Sequence, residues 1–239
     1  MLDLLNLANF KWAVALQGSG PDIDDALRFF RHSSDVCLRQ KVLPLFPERS
    51  VLLALEFNSL DQETDVYVAA GRILGMMNGI LFLETPHREP LSISAVHRRR
   101  QDGNYDTGIV LNSVSVRLRG VKGIGQTGPQ PVPEQSAWLG VGLTDDLVSD
   151  VLTYLRGEPD WFDLYKVCET IKSDTHKQGQ RGPWASLKSL SDFNRDAQLA
   201  RHSREYCVRK GIEPSNAMPL DEARTLVRSI VASWLRWRK

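Results

Sequence analysis

Beyond residue 144 the apolar residues recur every three or four positions, whereas much of the chain before residue 120 alternates in twos or gathers in short β-branched runs. A period of two suits strands and one of 3.6 suits helices. The switch therefore limits the fold more than any other feature. It predicts an α+β chain with an N-terminal mixed α/β domain, containing antiparallel strands, and an all-helical C-terminal domain. Residues 120–128 are glycine-rich, and residues 128–135 hold three prolines, which resist both helix and sheet. The expected division is a mixed domain over 1–128, a proline-rich linker over 129–143 and a helical domain over 144–239.

Residues 10–16 read as a strand stopped by the turn Gly18-Ser19-Gly20-Pro21. Residues 36–43 and 51–57 read as two more, around a turn bearing Pro44 and Pro47. In 61–77, Val66, Ala69, Ala70, Ile73, Leu74 and Met77 fall at helical spacing, and Asn78-Gly79 supplies a left-handed stop. Residues 91–98 and 107–119 alternate on either side of Asp102-Gly103-Asn104, the pattern of a β-hairpin. Helices are expected from Asp145, from Trp161, over 184–206 and after Pro219. The last carries Leu220, Ala223, Leu226, Val227, Ile230, Val231, Trp234 and Leu235 as one apolar stripe.

Hydrophobic residues make up 42% of the 239 and charged residues 25%, ordinary values for a chain that closes its own core. Cys37, Cys168 and Cys207 lie far apart and in no metal-ligand spacing, so they read as reduced, buried thiols. No apolar run approaches the ~18 residues a bilayer requires, and the N-terminus lacks a signal-peptide pattern. A cytoplasmic location without a membrane partner is expected. The net charge of +1 conceals an asymmetry: residues 1–159 carry 15 Lys/Arg against 19 Asp/Glu, and residues 160–239 carry 15 against 10. A basic helical half suits a polyanionic partner, and equally its own acidic N-terminal half.

Most catalytic signatures are missing from the sequence. The glycine run 120–128 is followed by prolines rather than a helix N-terminus, so it reads as linker and not as a phosphate loop. The five histidines fall in different elements with no zinc spacing, and no metal or cofactor is expected. No Gly-x-Ser-x-Gly elbow occurs. The run Arg98-Arg99-Arg100 leaves a strand for the hairpin loop, where it either contacts nucleic-acid phosphate or forms a solvated tip.

One constellation carries chemistry: Asn194-Arg195-Asp196, followed by Arg201-His202. Here the chain resembles the HEPN superfamily of helical domains, whose motif is an arginine, often followed by Asn, Asp or His, with four to six residues before a histidine. Arg195-Asp196 and His202 fit that pattern with six residues between. The resemblance implies a metal-independent ribonuclease in which the histidine handles the proton of the ribose 2′-hydroxyl. The arginine would stabilise the phosphate, and two protomers would bring their motifs together. Histidine titrates near neutrality and arginine offers phosphate a planar fork, so the roles are chemically sound. Seven positions of one helix climb ~10 Å, so the pair must meet through a helix break or a second chain.

A broader resemblance, carried by residues 164–171, Trp184, Ala200-Arg201-His202 and residues 218–227, is to uncharacterised bacterial two-domain proteins with a HEPN-like helical half. It implies Asn194, Arg201 and His202 as the residues to test first, and its version of the motif does not always keep an arginine at position 195, which only the HEPN motif implies. Three functions stay open: a HEPN-like ribonuclease acting in phage defence or stress response, a non-catalytic adaptor that binds a protein partner or itself as a homodimer, and an RNA-binding module without cleavage.

Overall fold

The computed structural model describes residues 9–31, 35–40, 42, 49–85, 89–110, 134–177, 187–201, 209, 211 and 218–238. Five strands, β1 (Trp12–Gln17), β2 (Val36–Arg39), β3 (Val51–Ala54), β4 (Ser92–Arg99) and β5 (Tyr105–Val110), form an antiparallel sheet in the order β2-β3-β1-β4-β5. Seven helices accompany it among the described residues: α1 (Gly20–Phe30), α2 (Glu63–Glu84), α3 (Glu134–Thr144), α4 (Asp146–Tyr154), α5 (Trp161–Lys177), α6 (Leu187–Arg201) and α7 (Leu220–Arg238). The α+β class holds, with strands in the first half and helices filling the second.

Strand β1 is central, which explains its unbroken apolar sequence: a strand covered on both faces needs no polar alternation. Trp12, Val14 and Leu16 face the helices and share one core with Ile73 and Met77 of α2, Leu152 of α4, Leu164 of α5, Phe193 of α6 and Trp234 of α7. That core runs without interruption from the sheet into the C-terminal helices. Ala13 and Ala15 face the other way, into a smaller cluster with Phe10, Cys37, Val51, Leu53 and Ala95.

Helix α2 differs from the expected 61–77. It continues to Glu84, straight through Asn78-Gly79. The dipeptide makes two tertiary contacts instead. The Asn78 amide donates to the Leu91 carbonyl and accepts from the Leu91 N–H, both at 2.9 Å, fastening α2 to the chain entering β4. At Gly79 a Cβ would run into the Leu152 carbonyl, so a bare Cα is what lets α4 cross α2 this closely. The full α2 is long and apolar enough to cross a membrane, contrary to the sequence expectation, but 67% of its apolar window is buried within this fold. It serves here as a core helix.

Two further helices were hidden in the sequence. The expected turn at residues 18–21 is the start of α1: the Ser19 hydroxyl accepts from the Asp22 N–H, and Pro21 sits in the first turn, where a missing N–H costs nothing. Residues 134–144, all but the last expected within the linker 129–143, form α3, held by buried Trp138 and Leu139. Asp145 then caps α4, accepting from the N–H groups of Leu147 and Val148. Residues 111–133, with the glycine run and the boundary at 128, lie outside the described residues.

Helix α7 locks the helical layer. Its Arg228 guanidinium donates to the Leu83 carbonyl at 2.6 and 3.1 Å, satisfying an end carbonyl of α2. Arg238 bridges Asp145 at 2.8 Å and Asp174 at 3.3 Å, and the buried Trp234 indole N–H donates to the same Asp174.

Candidate functional site

The β4–β5 hairpin closes on a tight turn. Arg100 N–H donates to the Asn104 carbonyl and Gly103 N–H to the Arg100 carbonyl. Gly103 has φ of 87°, a left-handed conformation that glycine adopts without strain. Asp102 accepts from both the backbone and the side-chain nitrogen of Asn104, at 2.9 and 3.2 Å, and these bonds hold its carboxyl below the usual range.

Strand alternation sends the three arginines apart. Arg98 lies opposite Trp12, on the helix-facing side, with its guanidinium 5.4 Å from the Trp12 ring centroid. Arg99 lies opposite Tyr105, on the other side, and its Nε donates to the Gly103 carbonyl at 3.4 Å. Arg100 forms an ion pair with Asp106, which raises its pKa. Nearby, Lys11 donates to Asp61 and to the Leu60 carbonyl, both at 2.7 Å. The hydrogen bond and charge of Lys11 lower the Asp61 pKa, with Arg98 adding a smaller effect. Arg98 and Arg99 themselves form no ion pair with a carboxylate among the described residues. A shallow open hollow is lined by Arg98, Arg99, Arg100, Gln101, Asp102 and Asp106.

The α6 motif is built differently. Asn194 is exposed. Arg195 Nε and Nη2 donate to the two carboxylate oxygens of Asp196 at 3.0 and 3.4 Å, and Nη1 donates to Asp192 at 3.2 Å. The bond and charge of Asp196 raise the Arg195 pKa. Asp196 is only 3% exposed and also accepts from the Met218 N–H at 2.7 Å, tying α6 to the start of α7. Arg195 thus braces a buried structural carboxylate. Helix α6 runs unbroken from Leu187 to Arg201, so positions 195 and 201 sit about 120° apart around its axis and ~9 Å apart along it. The Arg201 side chain and the whole of His202 lie outside the described residues. The structure therefore brings Arg195 together with Asp192 and Asp196.

Elsewhere, no group of three His, Cys, Asp or Glu among the described residues is arranged to hold a metal. Cys37 is buried, and burial raises its thiol pKa. Desolvation pushes the Cys168 thiol up to about 12, so burial favours the protonated form of both thiols. His97 is 1% exposed on the second sheet face, with no hydrogen-bond partner at Nε2 among the described residues. Sequence reasoning missed three residues that set this geometry: Trp12 under Arg98, Lys11 beside Asp61, and Asp196 as a buried brace. The apolar company of Trp12 hid the first. For the third, a carboxylate inside a helical repeat of otherwise apolar residues was the available signal.

No protein-family model, curated protein or solved structure matches this chain.

Proposed function

We propose that the chain is an RNA-directed protein that grips the phosphate backbone at the end of the β4–β5 hairpin through Arg98 and Arg99. The observation that carries this reading is the contrast in ion pairing: Arg100 and Arg195 each hold a carboxylate, while Arg98 and Arg99 hold none among the described residues. A guanidinium without a carboxylate partner can meet phosphate without first giving up an ion pair. The basic surplus of residues 160–239 adds longer-range attraction. The test is a gel-shift titration of labelled RNA at several salt concentrations. The expected result is binding that weakens steeply with salt and is weakened further by Arg98→Ala and Arg99→Ala. Binding indifferent to both salt and these substitutions would reject the reading.

A HEPN-like, metal-independent ribonuclease is the second reading, favoured by one observation: Asp196 fixes the Arg195 guanidinium while leaving that side chain 37% exposed. In that reading Arg195 faces the phosphate, and His202 handles the 2′-hydroxyl proton. Asn194 and Arg201 flank them, and a second copy completes the site. RNA incubated with the protein in EDTA should then be cut, and the cutting should disappear in His202→Ala. RNA that stays intact across structured and unstructured substrates would remove this reading while leaving the first.

A further inference from the structure

We propose that the hollow between the end of α4 and the start of α5 is a separate small-molecule site whose ligand is a free basic α-amino acid. The hollow holds about 300 Å³ and is lined by Thr153, Tyr154, Arg156, Glu158, Pro159 and Asp163. Its walls are fixed by bonds that leave the lining charges free. Asp160 caps α5, accepting from the N–H groups of Phe162 and Asp163 at 2.8 and 3.0 Å, so its own charge is met by the helix N-terminus. Asp163 in turn accepts from the Asp160 N–H through Oδ2, which leaves Oδ1 without a donor among the described residues. Pro159 is buried, and its carbonyl accepts from Arg224 Nε of α7 at 3.0 Å. On the opposite side the Arg156 stem lies over Gly75 of α2, where an added Cβ would stand 3.9 Å from Cδ.

The opposite charges around this hollow are separated rather than paired. Arg156 and Glu158 are exposed, and among the described residues neither side chain forms an ion pair or a hydrogen bond. Burial raises the Asp163 pKa and the Arg156 charge opposes it, although the two form no ion pair. A carboxylate desolvated in this way gains from a cationic partner. One guanidinium facing two carboxylates selects against simpler ligands. A phosphate would meet Glu158 and Asp163, and a metal cation would meet Arg156. A plain amine leaves the guanidinium unmatched, and a plain carboxylate leaves both acids unmatched. A basic amino acid matches all three: its carboxylate takes Arg156 through parallel hydrogen bonds, and its two cationic groups take Glu158 and Asp163. The Thr153 and Tyr154 hydroxyls, without hydrogen bonds among the described residues, line the space between.

The experiment is calorimetric titration of the full chain with free arginine, citrulline, agmatine and glutamate. No RNA is present, so the outcome is separate from that of the phosphate-contact reading. Arginine should bind with a Kd on the order of 0.1–1 mM, as a half-open hollow allows. Citrulline lacks the side-chain charge and agmatine the carboxylate, so each should bind roughly tenfold more weakly, and glutamate more weakly still. Arg156→Gln should weaken arginine roughly tenfold and leave agmatine as tight or tighter, because only the first ligand has a carboxylate to lose. Glu158→Gln and Asp163→Asn should each weaken arginine about three- to tenfold, and the second keeps the acceptor for the Asp160 N–H. Thermal unfolding should match the native chain in Arg156→Gln and Glu158→Gln, whose charges hold no other part of the described fold. Absence of arginine binding at about 10 mM overturns the proposal. So does citrulline or agmatine binding as tightly as arginine, or an arginine affinity that Arg156→Gln leaves unchanged.

Discussion

Arginines in two regions of this molecule are held in contrasting ways. On α6, Arg195 is gripped by Asp192 and Asp196, and through buried Asp196 it helps hold the start of α7. On β4, Arg98 rests on an aromatic ring and Arg99 on a turn carbonyl, without a carboxylate among the described residues. The difference teaches that a short arginine motif is read by what its neighbours do to the charge. A paired guanidinium is scaffold first, whereas an unpaired one at the surface is available to a ligand.

Substitutions in the scaffold should cost stability, and substitutions at the hairpin should cost binding. The largest effect belongs to Gly79→Val, which forces a side chain into the Leu152 carbonyl where α2 meets α4. It should destabilise the fold by about 3 kcal/mol or more in urea unfolding. Asn78→Leu keeps the branched side-chain shape but strands the Leu91 N–H and carbonyl, and should cost about 2–4 kcal/mol. Asp196→Ala removes the acceptor of the Met218 N–H and should cost about 1–3 kcal/mol. It also releases Arg195 from one carboxylate, so RNA affinity at low salt should rise in this variant. An unchanged affinity would show that ion pairing is not what separates the two arginine sites.

Acidification supplies a smaller effect. Burial, and secondarily the Arg49 guanidinium, holds the His97 imidazole below its ordinary 6.5. The unfolded chain then takes up the proton more readily than the folded one. The stability contributed by neutral His97 is complete above the unfolded value and is lost as pH falls through 6.5 towards the folded value. Urea midpoints at about pH 7.5 and pH 5 should therefore differ more for the native chain than for His97→Gln. Smallest of all, Arg98→Ala, which loses a cation–π contact, and Arg99→Ala, which loses a long hydrogen bond to the Gly103 carbonyl, should each shift stability by no more than about 0.5–1 kcal/mol.

The strands were legible in outline because they obey local rules: β1 is continuously apolar, and β4 and β5 flank an Asp-Gly turn, but the strand expected over 51–57 ends at Ala54 and gives way to a 3-10 turn over Leu55–Ser59. Helices α4, α5 and α7 were legible from their spacing, and α6 fell within the expected 184–206. Three features were not, each because tertiary contacts overrode a local signal. Asn78-Gly79 has the chemistry of a helix stop, but its amide and its missing side chain are used by Leu91 and Leu152. In α3, Gly140 and Gly142 weaken the helix signal. Gly142 is nonetheless suited to its place, because a Cβ there would crowd Met76 Sδ. At α1, the same Ser, Gly and Pro that mark turns also mark helix starts, and the stripe of Ile23, Ala26 and Phe30 settles which. At the candidate sites the residue types were legible and their pairing was not. Nothing in sequence spacing tells that Asp196 is buried or that Arg98 lies on Trp12.

The salt dependence of RNA affinity, measured side by side for the native chain, the Arg98→Ala/Arg99→Ala double variant and Arg195→Ala, tests the division of labour directly. The double variant should lose about two from the slope of log affinity against log salt, while Arg195→Ala keeps the native slope. A slope lowered by Arg195→Ala and untouched by the hairpin pair would contradict the account.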